Sequence, residues 1–163
     1  MRLVLIVSVV VLAGCGEQQA PTAPQDPTSE SWYRDGVAEL TVMNREAEQD
    51  FNGGKPGGKP DDASSLILRG EPIASQLLGV PRPTLAAMEA ASDLDDLYGR
   101  MLFSNQHYEW AQFQFQKNLA RWKYWKPETP DTARRLQDAE TKVADCDRKM
   151  LKGALPSVPI APK

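Results

Sequence analysis

The chain has 163 residues and a formal net charge of −3, with two cysteines and a single histidine. This length is enough for one modest domain plus tails. The slightly acidic balance argues against nucleic acid as a partner and against a broad polybasic membrane patch. With one histidine, neither a histidine-rich metal site nor a histidine pair for catalysis can form.

The N-terminal segment is typical of a cleaved export signal. One basic residue, Arg2, precedes a short apolar run that ends in Leu12, Ala13, Gly14 and Cys15. The run is too short for a permanent membrane-spanning helix, and small residues stand just before the cysteine. The Leu-Ala-Gly-Cys sequence resembles the lipobox of bacterial lipoproteins, in which signal peptidase II cleaves before the cysteine. The resemblance implies a signal peptide over residues 1–14 and a lipidated Cys15 that holds the protein on a membrane.

The resemblance also bears on location and on the second cysteine. Gly16 stands where enterobacterial lipoproteins retained in the inner membrane carry an aspartate, so the pattern resembles that of the outer membrane, with the inner membrane as the alternative. Lipidation of Cys15 would leave Cys146 without a disulfide partner. Its neighbours Asp145 and Asp147 would raise the thiol pKa, so we interpret Cys146 as a buried structural residue.

The segment after the signal changes from tether to helix. Residues 15–31 hold three prolines and many polar side chains, which predicts a semi-extended tether. From Trp32 to Phe51 the apolar residues recur three or four apart, which predicts a helix with Ser29 or Ser31 as its N-cap.

Glycine and proline dominate the next part of the chain. Residues 52–65 contain four glycines and two prolines, which predicts a mobile loop. Residues 66–78 are mostly apolar, but Gly70 and Pro72 interrupt them, so we expect only a short helix or turn there.

A long amphipathic pattern begins at Thr84. Apolar residues recur every seven positions, at Leu94, Met101, Tyr108, Phe115 and Trp122. No proline interrupts this run before Pro127, so it predicts one long helix with Gly99 as a candidate kink.

The last helix has clear start and stop signals. Thr129 as N-cap and Pro130 at the first helical position predict its beginning, and Gly153 predicts its end. Residues 154–163 hold three prolines and predict an extended tail. With no alternating pattern of strands, the chain predicts an all-α fold: an antiparallel helical bundle over residues 32–153, containing a long helical hairpin.

Motifs for chemistry are weak. Gly53 to Lys59 matches part of a phosphate-binding loop, but Pro60 stands where that loop needs serine or threonine. The aspartates at 93, 95 and 96 lack the spacing of a calcium loop, and favourable interaction with the helix macrodipole explains them. We interpret His107 as a surface or half-buried helix residue. The sequence therefore predicts no enzyme, no metal and no cofactor.

One segment has the composition of a contact surface. Cations and aromatics alternate near the predicted turn, and two further aromatics lie off the core stripe upstream: Arg121, Lys123, Tyr124 and Lys126, with Trp110 and Phe113. Such side chains are typical of protein-contact hot spots and of membrane-interface anchors. The alternative is structural, with aromatics packed under the tether and cations opposing the helix dipole.

The sequence thus predicts a lipid-anchored, non-enzymatic periplasmic module that binds another envelope protein. Pilotin and exclusion lipoproteins are families of this kind, and the sequence does not separate them or indicate an oligomeric state. The C-terminal Lys163 offers a second hypothesis, because the chain also resembles the Braun lipoprotein family in lipobox, helix and last residue. That resemblance implies attachment of Lys163 to peptidoglycan and a structural tether between outer membrane and cell wall.

Overall fold

The computed structural model describes residues 26–53 and 60–154, and within those ranges every regular element is helical. The predicted all-α class is therefore confirmed. A short 3₁₀ helix over Pro27–Ser29 precedes five α-helices: α1 Ser31–Phe51, α2 Pro60–Leu78, α3 Leu85–Ser104, α4 Tyr108–Tyr124 and α5 Pro130–Ala154.

The helices form an antiparallel bundle in which α3 is shared by two groups. On one side α3 packs against α1 and α2, and on the other it packs against α4, which in turn packs against α5. Side chains of α5 also reach α3, where Arg135 lies 2.7 Å from Asp93 and Lys142 lies 2.5 Å from Asp96.

Two apolar clusters fill the bundle. The larger one joins α1, α2 and α3 and includes Tyr33, Leu40, Ile67, Leu77, Leu94 and Leu97. The smaller one joins α4 and α5 through Ala111, Phe115 and Cys146, with half-buried Val143 and Met150 beside them. The predicted burial of Leu94, Met101 and Phe115 is confirmed, whereas Leu136 and Val143 are only half-buried.

The predicted single long helix is wrong, because the chain reverses between α3 and α4. The amide of His107 donates to the carbonyl of Leu102, at 2.9 Å, and that of Gln106 donates to Phe103, at 3.0 Å. This pair of bonds is the Schellman ending of a helix, which places one residue in the left-handed region, here Gln106 with φ of 66°. Glycine usually fills that position, so the sequence carried no signal of the break.

Helix α3 continues through Gly99, where a side chain would meet α4. A Cβ added to Gly99 would lie 2.8 Å from Cδ1 of Phe115, closer than any real contact. The glycine therefore lets the ring of Phe115 on α4 approach the backbone of α3.

Helix α2 is longer than predicted, since it begins at Pro60 and continues through Gly70 and Pro72. A Cβ on Gly70 would lie 3.0 Å from atoms of both Leu40 and Leu94, so this glycine permits close packing against α1 and α3. Pro72 is exposed and, lacking an N–H, cannot donate a backbone hydrogen bond within the helix. The tertiary packing of α2 contributes more to its stability than this missing bond takes away. Of the predicted loop, residues 54–59 lie outside the described residues.

The helix boundaries test the capping predictions. Neither Ser29 nor Ser31 caps α1, because its N-cap is Glu30, which makes no side-chain capping bond. The predicted tether over residues 15–31 therefore ends earlier than expected, in the 3₁₀ helix, while its residues 15–25 lie outside the described residues. Thr129 does cap α5, accepting a bond from the amide of Thr132 at 3.2 Å. Helix α5 ends one residue beyond Gly153.

An ion pair across α1 and α3 makes stability depend on pH. Hydrogen bonds from Arg100 lower the pKa of Glu48 below its ordinary value of 4.5. A lowered folded-state pKa stabilises the fold above pH 4.5, and this contribution is lost as pH falls through the folded-state value.

We expect Glu48→Gln to reduce the loss of stability between about pH 5 and about pH 2, measured by urea unfolding. Glu39→Gln, at an exposed position of the same helix, is the control. Equal pH dependence of both variants would contradict the expectation.

Candidate functional site

Three aromatic side chains lie exposed along one side of α4. Trp110 is 66% exposed, Phe113 56% and Tyr124 77%. Together with the small, exposed Ala120, they are spaced three, seven and four residues apart, which places all four on one helical face. We call Trp110, Phe113, Ala120 and Tyr124 the α4 outer face. It extends about 21 Å along the helix, at about 1.5 Å per residue.

The α4 outer face points away from the bundle because the opposite side of α4 is buried. Ala111, Phe115 and Trp122 are each at most 4% exposed and pack towards α3 and α5. The predicted position of Trp110, Phe113 and Tyr124 off the core stripe thus agrees with their exposure. Phe103, a further aromatic off the stripe, is instead half-buried, with its ring centroid 5.1 Å from that of Tyr108.

Cations lie at the C-terminal end of this face. The side chain of Lys123 is exposed, and its Nζ lies 5.9 Å from the ring centroid of Tyr124. Lys126 follows the end of α4; its side chain is 71% exposed and its Nζ lies 3.6 Å from Glu128. The site therefore combines exposed aromatic side chains with two lysines at one end.

Arg121 does not belong to this exposed surface. Its side chain is only 7% exposed, and its guanidinium lies 2.9 Å from a carboxylate oxygen of Asp95 on α3. A second nitrogen of Arg121 donates to Asn118. The arginine that the sequence assigned to partner binding is therefore held inside the bundle.

Arg121 is part of a buried polar network between α3 and α4. Lys117 also forms an ion pair with Asp95, and it donates to Gln114 at 3.0 Å. Asn118 donates to the Ser92 carbonyl, and the indole of Trp122 donates to the Ser92 hydroxyl, both at 2.9 Å. Because these bonds are directional, the network fixes the rotation of α4 and with it the direction of the α4 outer face.

The sequence reasoning missed this network. Asp95 follows Leu94 directly and lies four residues after Ala91, so it falls on the apolar stripe of α3. A carboxylate on an apolar stripe indicates a buried partner of opposite charge, since lone buried charges are strongly disfavoured. The position of Asp95 on the apolar stripe is the feature of the sequence that indicates the network.

A cleft of about 480 Å³ lies beside the network, between α2, α3 and α4. Its charged lining includes Asp95, Lys117 and Arg121, which already pair with one another. With Glu71, which also lines it, the cleft has two positive and two negative side chains and no net charge, so it favours neither an anion nor a cation.

The remaining candidate residues have simple environments. His107 is exposed and immediately precedes α4. Cys146 is fully buried, and burial, followed by the charge of Asp147, raises the pKa of its thiol, which makes it a poor nucleophile. Cys15 and Lys163 lie outside the described residues. In residues 26–53 and 60–154 no group of three metal-ligating side chains converges.

No helix in the described part of the chain has the length and hydropathy needed to cross a membrane. Comparisons with protein-family models, with curated protein sequences and with solved structures found no match to this chain.

Proposed function

We propose that this protein is a lipid-anchored, non-enzymatic module of the bacterial periplasm, and that its α4 outer face binds another protein of the cell envelope. The observation that carries the proposal is the alignment of three strongly exposed aromatics on one side of one helix. Exposed aromatic side chains on one helical face are typical of protein-contact surfaces.

The chemistry of the α4 outer face suits a protein contact. Tryptophan and tyrosine are enriched among residues that dominate binding energy, because each buries a large area with few rotatable bonds. Lys123 and Lys126 at one end would favour a partner with acidic groups at the matching position. The buried network holds α4 in one orientation, so little conformational entropy is lost when the partner binds.

The membrane anchor rests on Leu12 to Cys15. Two or more acyl chains on Cys15 would hold the protein stably, since each buried methylene contributes about 0.8 kcal/mol. Only the residues between Cys15 and Ser31, the start of α1, separate that anchor from the bundle. Even fully extended at about 3.3 Å per residue, they would keep the bundle within roughly 50 Å of the membrane. Gly16 favours the outer membrane as the location.

The anchor can be tested by replacing Cys15. We expect Cys15→Ser to abolish labelling by radioactive palmitate and to leave the signal peptide uncleaved, because serine has no thiol to carry the diacylglycerol. Cys146→Ser is the matched control, since the buried Cys146 should not be lipidated. Normal labelling and processing of the Cys15→Ser protein would refute the lipoprotein assignment.

The partner surface can be tested by crosslinking and pulldown from envelope membranes. We expect Trp110→Ala and Tyr124→Ala each to weaken capture of a specific partner by about thirtyfold, the effect of losing a hot-spot aromatic worth about 2 kcal/mol. Both positions are exposed, so stability should change by less than about 0.5 kcal/mol, as thermal unfolding can verify. Leu68→Ala on α2 is the matched control, because Leu68 is 64% exposed and lies outside the α4 outer face.

Two outcomes would contradict this surface. Equal capture by wild type, Trp110→Ala and Tyr124→Ala would show that the exposed aromatics are not the contact. Covalent recovery with peptidoglycan that is lost on deletion of Lys163 would instead support the tether hypothesis.

A further inference from the structure

The α4 outer face is nearly symmetric about its midpoint at Lys117. Trp110 and Tyr124 each lie seven residues from Lys117, while Phe113 lies four residues before it and Ala120 three residues after it. When two copies of a helix pack side by side in opposite directions, a residue before the midpoint meets one at a similar distance after the midpoint of the other copy. Two antiparallel copies of α4 would therefore bring Trp110 to Tyr124 and Phe113 to Ala120.

These pairings are complementary in size. Ala120 carries only a methyl group, which leaves room for the exposed ring of Phe113 from the other copy. Trp110 and Tyr124 are both exposed aromatics, which pack well edge to face or offset. A parallel pair would instead set Phe113 against Phe113 and Ala120 against Ala120, with a crowded level and an empty one. The shape of the face thus favours the antiparallel direction.

The charges beside the face favour the same direction. Glu109 immediately precedes Trp110, and Lys123 immediately precedes Tyr124, so both lie on the same flank of the α4 outer face. Both are exposed, and neither forms an ion pair within the described part of the chain. A two-fold axis through an antiparallel contact keeps each flank on its own side. Glu109 of each copy would then lie beside Lys123 of the other, and such flanking charges set the partner and direction of paired helices.

Lys117 would lie close to the two-fold axis, near its own counterpart. Its ammonium forms an ion pair with Asp95 on α3, and its side chain is 38% exposed. The positive charge is thus compensated within each copy, so it does not oppose the pairing strongly.

A membrane anchor would make a small contact sufficient. One helix face from each copy buries less than the roughly 1,200 Å² at the lower limit of stable complexes, so the pair would be weak in dilute solution. Anchoring both copies in one membrane raises their effective concentration. A two-fold axis perpendicular to that membrane places equivalent ends of both bundles at the same height, so both anchors can reach it.

We propose that a second copy of this chain covers the α4 outer face in an antiparallel pair, and that the envelope partner displaces this copy when it binds. The proposal rests on the proposed function, since it takes the α4 outer face as the binding surface. Self-association then regulates that surface by covering its aromatics until the partner is present.

Two full-length copies with different affinity tags, expressed together and captured from mildly solubilised membranes, test the pairing. We expect Glu109→Lys in both copies, or Lys123→Glu in both copies, to lower co-capture at least about fivefold, because like charges then meet on the flank. Co-expression of one Glu109→Lys copy with one Lys123→Glu copy should restore co-capture to within about twofold of wild type, because every flank contact of the mixed pair joins opposite charges. Glu140→Lys, at an exposed position of α5, is the matched control.

Crosslinking in intact membranes tests the register. Gln116 is exposed on the flank that carries Glu109 and Lys123, next to the midpoint, so Gln116→Cys should give a crosslinked dimer with a short bismaleimide. Gln137→Cys, an exposed position on α5, is the matched control and should stay monomeric. Wild type is the blank, since its Cys146 is buried.

The proposal is overturned if two wild-type copies are not captured together, or if the mixed pair recovers no better than either single variant. Equal crosslinking at positions 116 and 137 would also overturn it. A chain that carries both Glu109→Lys and Lys123→Glu distinguishes this proposal from the proposed function. It should pair with itself normally, whereas a partner with acidic groups matched to Lys123 should be lost. Pairing of copies without capture of any envelope partner would refute the proposed function, and capture of a partner without pairing would refute self-association.

Discussion

Replacing Asp95 with alanine should lower the free energy of unfolding by about 3–5 kcal/mol, the usual cost of breaking a buried ion pair on one side. Asp95 is 5% exposed and accepts from both Lys117 and Arg121. Without it, the Arg121 guanidinium would remain inside the bundle with the Asn118 amide as its remaining partner among the described residues. Urea unfolding followed by circular dichroism would measure the change.

The matched control for Asp95→Ala is Asp138→Ala. Asp138 also pairs with a lysine, at 2.6 Å, but its side chain is 59% exposed, so its loss should cost less than about 1 kcal/mol. The double variant Asp95→Leu with Arg121→Met should regain much of the lost stability, because an apolar pair leaves no buried charge. Equal costs for Asp95→Ala and Asp138→Ala would contradict the assigned role of the network.

Phe115→Ala should lower the free energy of unfolding by about 3–5 kcal/mol, because it removes a ring that is 2% exposed and leaves a cavity between α4 and α5. The ring also lies against Gly99, so Gly99→Ala should overpack the contact and cost about 1–3 kcal/mol in the wild-type background. When both changes are made together, the clash disappears. The combined cost should then be clearly less than the sum of the two.

A double-mutant cycle measured by thermal or urea unfolding gives this coupling directly. Phe113→Ala is the control, since Phe113 is 56% exposed on the same helix and should change stability by less than about 0.5 kcal/mol. Strict additivity of Gly99→Ala and Phe115→Ala would show that the two residues do not contact each other as described.

The sequence predicted the helical content well because each helix buries a regular apolar stripe. It failed at the turn after α3 because the seven-residue spacing of Met101, Tyr108 and Phe115 continues across the break. Residues on two antiparallel helices can keep that spacing by chance, since each helix must face the same core. Gln106 in the left-handed conformation is favoured there by the tertiary contact of α3 and α4 and not by its own preference.

The sequence predicted the candidate site, like the fold, only in part. Spacing alone placed Trp110, Phe113 and Tyr124 off the core stripe, and they are exposed. Spacing could not place Arg121, because a polar residue at the edge of a stripe is buried only if a partner lies opposite. That partner, Asp95, is 26 residues earlier in the chain and meets Arg121 only once α3 and α4 have packed.

The shared position of α3 has a consequence for how the protein opens in solution. An opening that separates α1 and α2 from α3 leaves α3 still covered by α4, and an opening of α4 and α5 leaves it covered by α1 and α2. The backbone amides of α3 can therefore meet solvent only when both sides come apart together. In a hydrogen–deuterium exchange experiment, the central amides of α3 would retain protium longest and report the global unfolding free energy. Amides of the outer helices would exchange sooner, through partial openings that require less free energy.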